Sequence, residues 1–462
     1  MSIPKHVFRE YDIRGVADRD LTDTFATLLG RGLGSTLAVS GRRTRLAVGR
    51  DCRVSSPRLF AALTTGLREA GIDVVEIGVV PTPMLYFAVH HLGVDGGVMI
   101  TGSHNPPEDN GFKIMRGKAS FFGADIQTLR ARLEAGDLGP EGDGRLETVD
   151  VLPAYVAALK ERVSLAHTDI SFVVDAGNGS GGPAALAVMQ SLGLKPDPLF
   201  CEMDGRFPNH HPDPTVVENV ATLVDRVKKT GARVGIAYDG DADRLGAVDE
   251  TGEIIWGDKL MILFSRALLR ETPGASILGE VKCSQTLYDD IAKHGGKPIL
   301  WKTGHSLIKT KMKETGALLA GEMSGHLFFA DRYFGYDDAI YASLRLLEIL
   351  SKDPRSLSEM LADVPKTFTT PELRVDCPDA VKFDVVKAVT EHYKAAGRSV
   401  IDIDGARVSF GTPEAPAWGL VRASNTGPVL VMRFEAGTAA ERDRIRAEVE
   451  GQVKEARKRH ER

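Results

Sequence analysis

Cysteine is scarce in this chain, at four in 462 residues. Cys52, Cys201, Cys283 and Cys377 stand far apart, with neither the paired spacing of a zinc site nor the density of a disulfide scaffold, and they suit a reducing cytosol. No run of about 18 apolar residues occurs, so no transmembrane helix is expected. Met1-Ser2-Ile3-Pro4-Lys5-His6 leads into charged residues rather than an apolar leader, and a cytoplasmic protein with no membrane partner is expected. An excess of one charge is missing too. With 58 Lys and Arg against 63 Asp and Glu the formal net charge is -5, which argues against a nucleic-acid binder while leaving room for local basic clefts.

Glycine is abundant, at 48 residues with 23 prolines, and 43% of the chain is apolar, so many turns and substantial cores are expected. The length exceeds what one core supports and suggests roughly two to four domains. Strand and helix patterns alternate. Leu46-Ala47-Val48-Gly49 reads as a strand, Ser56-Pro57 as a capped helix start, Val74-Val75-Glu76-Ile77 as the next strand, and Thr82-Pro83 as a helix running towards His91. The order recurs from Ile170 and again from Ala275, giving three comparable α/β units. After a hinge near residues 365–371 a smaller α+β unit is expected.

Ala237-Tyr238-Asp239-Gly240-Asp241-Ala242-Asp243-Arg244 sets three carboxylates at alternate positions directly after an apolar strand, Arg233 to Tyr238. Ligands of open α/β sheets bind at such strand ends. Like charges this close repel, and a divalent cation compensates them. Oxygen donors without nearby Cys or His favour Mg2+, with Mn2+ able to substitute. A calcium-binding EF-hand loop needs glycine at its sixth position, where Arg244 stands. A second strand-like run, Gly96 to Ile100, gives way to Thr101-Gly102-Ser103-His104-Asn105-Pro106. A plain serine is a poor nucleophile, whereas phosphoserine offers oxygens to Mg2+ and a phosphoryl group to a substrate. The glycine-rich stretch Gly177 to Gly182 follows a strand as a dinucleotide loop does, but is read as a turn near a domain boundary.

With Gly321-Glu322-Met323-Ser324-Gly325-His326 and Arg422-Ala423-Ser424-Asn425-Thr426, these two loops make four motifs whose order and spread along the chain closely resemble the α-D-phosphohexomutase superfamily, within it the bacterial phosphomannomutase/phosphoglucomutase group. The resemblance implies three similar mixed α/β domains around a central cleft plus a smaller C-terminal α+β domain. The expected spans are 1–150 for the phosphoserine loop, 151–252 for the metal, 253–367 for the sugar and 368–462 for the substrate phosphate. It implies reversible interconversion of hexose 1-phosphate and hexose 6-phosphate, of mannose and glucose, through phosphoserine and a 1,6-bisphosphate. Phosphoglucosamine mutase is the alternative, and a metal-dependent phosphatase or a sugar-phosphate sensor are the readings from other classes.

Site roles follow from the same resemblance. Ser103, His104, Lys113, Arg244 and His305 are the catalytic candidates, with Lys113 preferred as general base or acid. Ser103, Asp239, Asp241 and Asp243 are the ligands of one Mg2+ per chain. Glu322, Ser324 and His326 bind the sugar, while Arg422, Ser424, Asn425 and Thr426 bind the non-transferring phosphate. Arg9, Tyr11, Lys282 and Lys302 are supporting positions. Glucose 1,6-bisphosphate is the expected activator, the partner is a small phosphosugar, and a monomer is favoured.

Overall fold

The computed structural model describes residues 3–460 apart from Pro413 and Thr426. Among the described residues the strands form four sheets. The first runs Ile13–Val16, Asp109–Arg116, Gly96–Ile100, Arg45–Arg50, Asp73–Val79, Leu146–Thr148, with Ala119–Ser120 on the second of these. The second runs Ile254–Ile255, Leu245–Asp249, Val234–Tyr238, Phe172–Asp175, Asp197–Leu199. The third runs Lys297–Trp301, Ser276–Glu280, Leu319–Gly321, Leu327–Phe329. The fourth is antiparallel throughout, with Val429–Ala436 paired to Phe368–Thr369, Leu373–Asp376 and Trp418–Ala423, and the last of these leading on to Ala406–Ser409 and Val400–Ile401.

One topological device recurs. In each of the first three sheets a strand paired in parallel on one side turns back and pairs antiparallel on the other. Gly96–Ile100 returns as Asp109–Arg116, Val234–Tyr238 as Leu245–Asp249, and Leu319–Gly321 as Leu327–Phe329. The turns between them, residues 101–108, 239–244 and 322–326, are the three loops singled out in the first three units. In the fourth sheet, residues 424–428 join Trp418–Ala423 to Val429–Ala436. A strand buried on both faces is continuously apolar, so the abrupt switch to polar residues at its carboxyl end marks the loop in the sequence.

The helix after the second strand spans Ser56–Glu69 with Ser55 at its cap position, one residue before the expected start. Ser56 is already helical, and its hydroxyl donates to Asp51 Oδ1 at 2.5 Å instead. One large apolar core, running from Ala47 through Val174 and Ile236 to Leu344, joins the first three sheets. The fourth sheet keeps its own core around Val385, Val408, Phe434 and Ile445. The segment read as a hinge contains Phe368–Thr369, which is already hydrogen-bonded into the fourth sheet.

The fourth sheet docks on the third unit through a small apolar contact of Val281, Trp418 and Leu420 and through buried charge. Arg433 Nη1 lies 3.0 Å from Asp258 Oδ2, with both side chains at least 96% buried, and Arg407 donates to the Val281 carbonyl at 2.7 Å. Removing one partner of a buried pair leaves the other charge uncompensated. Asp258→Ala is therefore expected to cost about 3 to 5 kcal/mol of docking stability. A lowered Tm and faster proteolysis near Pro365 check it, and an unchanged cleavage rate would contradict the electrostatic docking.

Candidate active site

The buried strand Gly96–Ile100 delivers the chain to Ser103, whose φ of 49° lies in the left-handed region that residues with a side chain seldom occupy. Thr101 Oγ1 accepts the Ser103 amide at 2.8 Å, and Ser103 Oγ donates to Asp239 Oδ2 at 2.9 Å. The acidic turn is thus in direct contact with the serine loop. Asp239 Oδ1 accepts the amides of Asp243 and Arg244 at 3.0 and 3.1 Å, which folds the turn around it. From beneath, the glycine-rich stretch packs close: a Cβ on Gly179 would fall 2.6 Å from the Gly240 carbonyl, so the stretch serves as a platform for the acidic turn.

Asp239, Asp241 and Asp243 are fully buried. Burial and the two neighbouring carboxylates push Asp239 well above the ordinary carboxylate range. Burial also works against the charge on Asp241, yet Lys113 outweighs it and holds that carboxyl low. Lys113 Nζ lies 2.8 Å from Asp241 Oδ2 and 2.5 Å from Asp243 Oδ2. Thr82 Oγ1 donates to the same Asp241 oxygen. Asp241 Oδ1 and Asp243 Oδ1 have no hydrogen-bond partner among protein atoms. Three carboxylates with ligand atoms within 4.8 Å of one another, two of them carrying unpartnered buried oxygens, fit a hard divalent cation.

Arg244 reaches the other way. Its Nε donates to His326 Nε2 at 3.0 Å, so that nitrogen is an acceptor and the ring proton sits on Nδ1, 3.0 Å from Asp337 Oδ2. Arg244 Nη1 lies 3.4 Å from His104 Nε2, and the opposite nitrogen of that ring lies 3.1 Å from Ser103 Oγ. His104 and His305 are held neutral, chiefly by burial. His305 stacks on His326 with ring centres 5.7 Å apart and meets Tyr11 edge-on.

Glu322 accepts the Gly304 amide at 2.8 Å and the Ser324 hydroxyl at 3.1 Å, which leaves lone pairs on both oxygens. Arg422 Nε donates to Asp404 Oδ2 at 3.0 Å, the oxygen that also accepts the Thr303 amide at 2.9 Å. Tyr11 donates to the Thr303 carbonyl at 3.0 Å and accepts from Asn425 at 2.7 Å, linking the first, third and fourth units. Lys282 pairs with Glu372 at 3.0 Å. A cleft of about 450 Å3 is lined by Arg9, Tyr11, Ser103, His104, Lys113, Arg244, His305, His326 and Ser424. Lys302 is exposed and does not line it, and Thr426 lies outside the described residues.

Four residues of the site have no place in the sequence expectations. Arg14 lines the cleft and donates to Asn105 Oδ1 at 2.8 Å; it lies three residues beyond Tyr11, one of the supporting positions. Asp337 is fully buried between His326, His305 and Lys309. Asp404 orients Arg422. Lys382 donates to the Ser424 and Gly427 carbonyls at 2.6 and 3.0 Å and so braces the fourth loop from behind. No local pattern marks the last three.

Family models for phosphoglucomutase/phosphomannomutase match the chain in four consecutive parts. The α/β/α domains I, II and III match residues 5–138, 153–252 and 256–368, and the C-terminal domain matches 372–452. A phosphomannomutase/phosphoglucomutase of Pseudomonas aeruginosa is 46% identical over 453 residues, 98% of this chain and 96% of the relative. A phosphoglucomutase of Neisseria gonorrhoeae is 45% identical over 447 residues, 96% of each. The crystal structure of a phosphoglucomutase/phosphomannomutase family protein from Burkholderia thailandensis superposes with a TM-score of 0.91 at 42% identity, covering 98% of both chains. With the serine and acidic loops in contact and all four domains matched in order, the chain belongs to the α-D-phosphohexomutase superfamily, in its bacterial phosphomannomutase/phosphoglucomutase group.

Proposed function

We propose that the protein interconverts the 1-phosphates and 6-phosphates of glucose and mannose by reversible phosphoryl transfer through phosphoserine 103 and a hexose 1,6-bisphosphate. The observation that carries this reading is the 2.9 Å contact of Ser103 Oγ with Asp239, at the wall of a cleft that Ser424 of the fourth loop also lines. The four units, 1–150, 151–252, 253–367 and 368–462, each contribute one loop. Mg2+, one per chain, is the ion that Asp239, Asp241, Asp243 and the phosphoserine oxygens would hold, and it supplies charge compensation for the phosphoryl group.

A sugar hydroxyl oxygen attacks phosphorus, the bond from phosphorus to Ser103 Oγ breaks, and the electron pair stays on Oγ. In the return step Oγ attacks the phosphate at the other end of the sugar, and that ester bond breaks. Catalysis of such a transfer is mainly positioning and charge stabilisation. Arg244 and Lys113 face the reacting group as cations. Burial alone would discharge Lys113, but Asp241 and Asp243 keep it protonated, so it serves as a counter-charge and proton donor rather than a base. The hydroxyl proton passes to the imidazole of His305, which lines the cleft and is held neutral chiefly by burial.

Glu322 and Ser324 accept and donate hydrogen bonds to sugar hydroxyls that present themselves similarly in the two orientations. Arg422, Ser424 and Asn425 hold the non-transferring phosphate. Escape of the bisphosphate leaves Ser103 unphosphorylated, and glucose 1,6-bisphosphate restores it, which makes that compound the activator. No helix among the described residues is long and apolar enough to cross a membrane. Cys52, Cys201 and Cys283 carry free thiols, and we take the enzyme to work as a cytoplasmic monomer.

Ser103→Ala is expected to lower turnover of glucose 1-phosphate by several orders of magnitude with folding intact, and wild-type turnover under saturating bisphosphate would defeat the role of the serine. Arg422→Ala is expected to raise KM by roughly 30-fold, about 2 kcal/mol, through the lost charged contact. An unchanged KM would contradict the pocket. Parallel assays with glucose, mannose and glucosamine 1-phosphates separate the hexose reading from a glucosamine one.

The raised pKa of Asp239 also sets a pH dependence. A carboxyl whose folded value lies above its unfolded value contributes stability that is complete at low pH and is lost as pH climbs through the folded value. A divalent cation removes that loss because it needs the charged form. The increase in Tm given by MgCl2 over EDTA is therefore expected to grow as pH rises from the ordinary carboxylate range towards the raised value of Asp239, and Asp241→Asn should flatten the trend. An increment independent of pH would overturn the assignment.

A further inference from the structure

Arg53 belongs to none of the four loops, yet its side chain is wholly buried. Nη2 donates to the carbonyl oxygens of Ser103 and Asn105 at 2.8 and 2.6 Å, and Nη1 to those of Pro106 and Asp109 at 2.5 and 2.9 Å. One cation thus collects three carbonyls of the serine loop, that of Ser103 included, and that of Asp109 at the start of the return strand. Asp51 Oδ2 lies 3.2 Å from Arg53 Nε and accepts the Gly102 amide at 3.1 Å, so the same ion pair holds the loop's entry. The ring of Phe207, from the second domain, covers the guanidinium at 5.1 Å.

The fit leaves no slack. A Cβ on Gly102 would fall 2.4 Å from Arg53 Nε, so only glycine passes at this point of the loop. The next residue is Ser103 with its φ of 49°, a conformation that persists only where its surroundings over-determine it. A buried guanidinium is costly unless its donors are satisfied, and the planar fork of Arg, unlike the point charge of Lys, can serve four acceptors at once.

We infer that Arg53 is a positioning residue for phosphoryl transfer: it holds the backbone of Ser103 in the left-handed conformation that aims Oγ at Asp239 and the cleft. Given Ser103 as the phosphoryl carrier, loosening this clamp slows both half-reactions. It leaves sugar-phosphate capture in the fourth domain unaffected, because Arg422 and Asn425 make no contact with it.

The test is steady-state turnover of glucose 1-phosphate with Mg2+ and glucose 1,6-bisphosphate, using wild type, Arg53→Lys and Gly102→Ala. The lysine keeps the charge beside Asp51 and loses the fork, while the added methyl displaces the guanidinium without altering it. Both variants are expected to fold, to lose about 100-fold in kcat, and to keep KM within about threefold. The ratio of inorganic phosphate released to isomer formed should rise in both. A kcat near wild type in Arg53→Lys, or a KM that rises in step with the loss of kcat, would overturn the role. Failure of both variants to fold would overturn it too, because the guanidinium would then be needed to build the domain rather than to aim the serine. If wild type itself shows no turnover and takes no label at Ser103 from bisphosphate, the mutase reading fails. If wild type labels and the variants match it, only the clamp fails.

Discussion

Three carboxylates buried in one turn are the constraint around which the rest of the site is built. Unit charges a few ångströms apart repel by several kcal/mol even at an intermediate dielectric, so the turn exists only where cations and N–H groups face it. Its own amides satisfy Asp239. The compensating ammonium comes from elsewhere: Lys113 sits opposite Met99 on the return strand of the first sheet. Thr82, from the first domain, adds its amide to the Asp241 carbonyl at 2.9 Å and its hydroxyl to the Asp241 carboxylate. Electrostatics therefore fixes how the first two domains meet, and in doing so brings Ser103 against the acidic turn.

The repeated hairpin explains how separate domains can supply parts of one site. A strand in parallel pairing ends with its side chains and backbone emerging on the ligand side of the sheet. Turning it straight back into an antiparallel partner keeps the connection short and rigid. In three domains that turn carries in succession Ser103, the three buried carboxylates and Glu322. The fourth domain reaches the same end with an antiparallel hairpin. Arg244 and His326, backbone-paired as an isolated antiparallel bridge, show that the second and third loops join directly.

What was legible in the sequence were the clusters whose members are neighbours in the chain. Asp239, Asp241 and Asp243 announce a cation because repulsion at that spacing needs an answer. What was not legible were the partners that distance hides. Arg53, Asp337, Asp404 and Lys382 are charged residues outside the four motifs, and such a charge in a sequence is ordinarily a solvated one. The sequence leaves Lys113 open as general base or acid because the two carboxylates that pair with it lie 128 and 130 residues away. Lys302 looked like a cleft residue because it follows a strand, but its side chain leaves the site for solvent. The helix start slipped by one residue because Ser55 and Ser56 are chemically identical, and only the pull of Asp51 on Ser56 separates them.

The two sides of the fourth domain are bonded differently, and this bears on how a bisphosphate can turn round without being lost. Towards the third domain lie buried ion pairs and the Trp418 contact, which are expensive to break. Towards the first domain lies the hydrogen bond of Asn425 to Tyr11, and a typical hydrogen bond contributes only about 1 kcal/mol net. A hinge movement about the third-domain contact can therefore part Asn425 from Tyr11 at small cost. Restoring that bond brings the fourth loop back against the first domain. Because Thr303 joins Tyr11 to Asp404, and Asp404 joins it to Arg422, the Arg422 guanidinium is tied into the same contact.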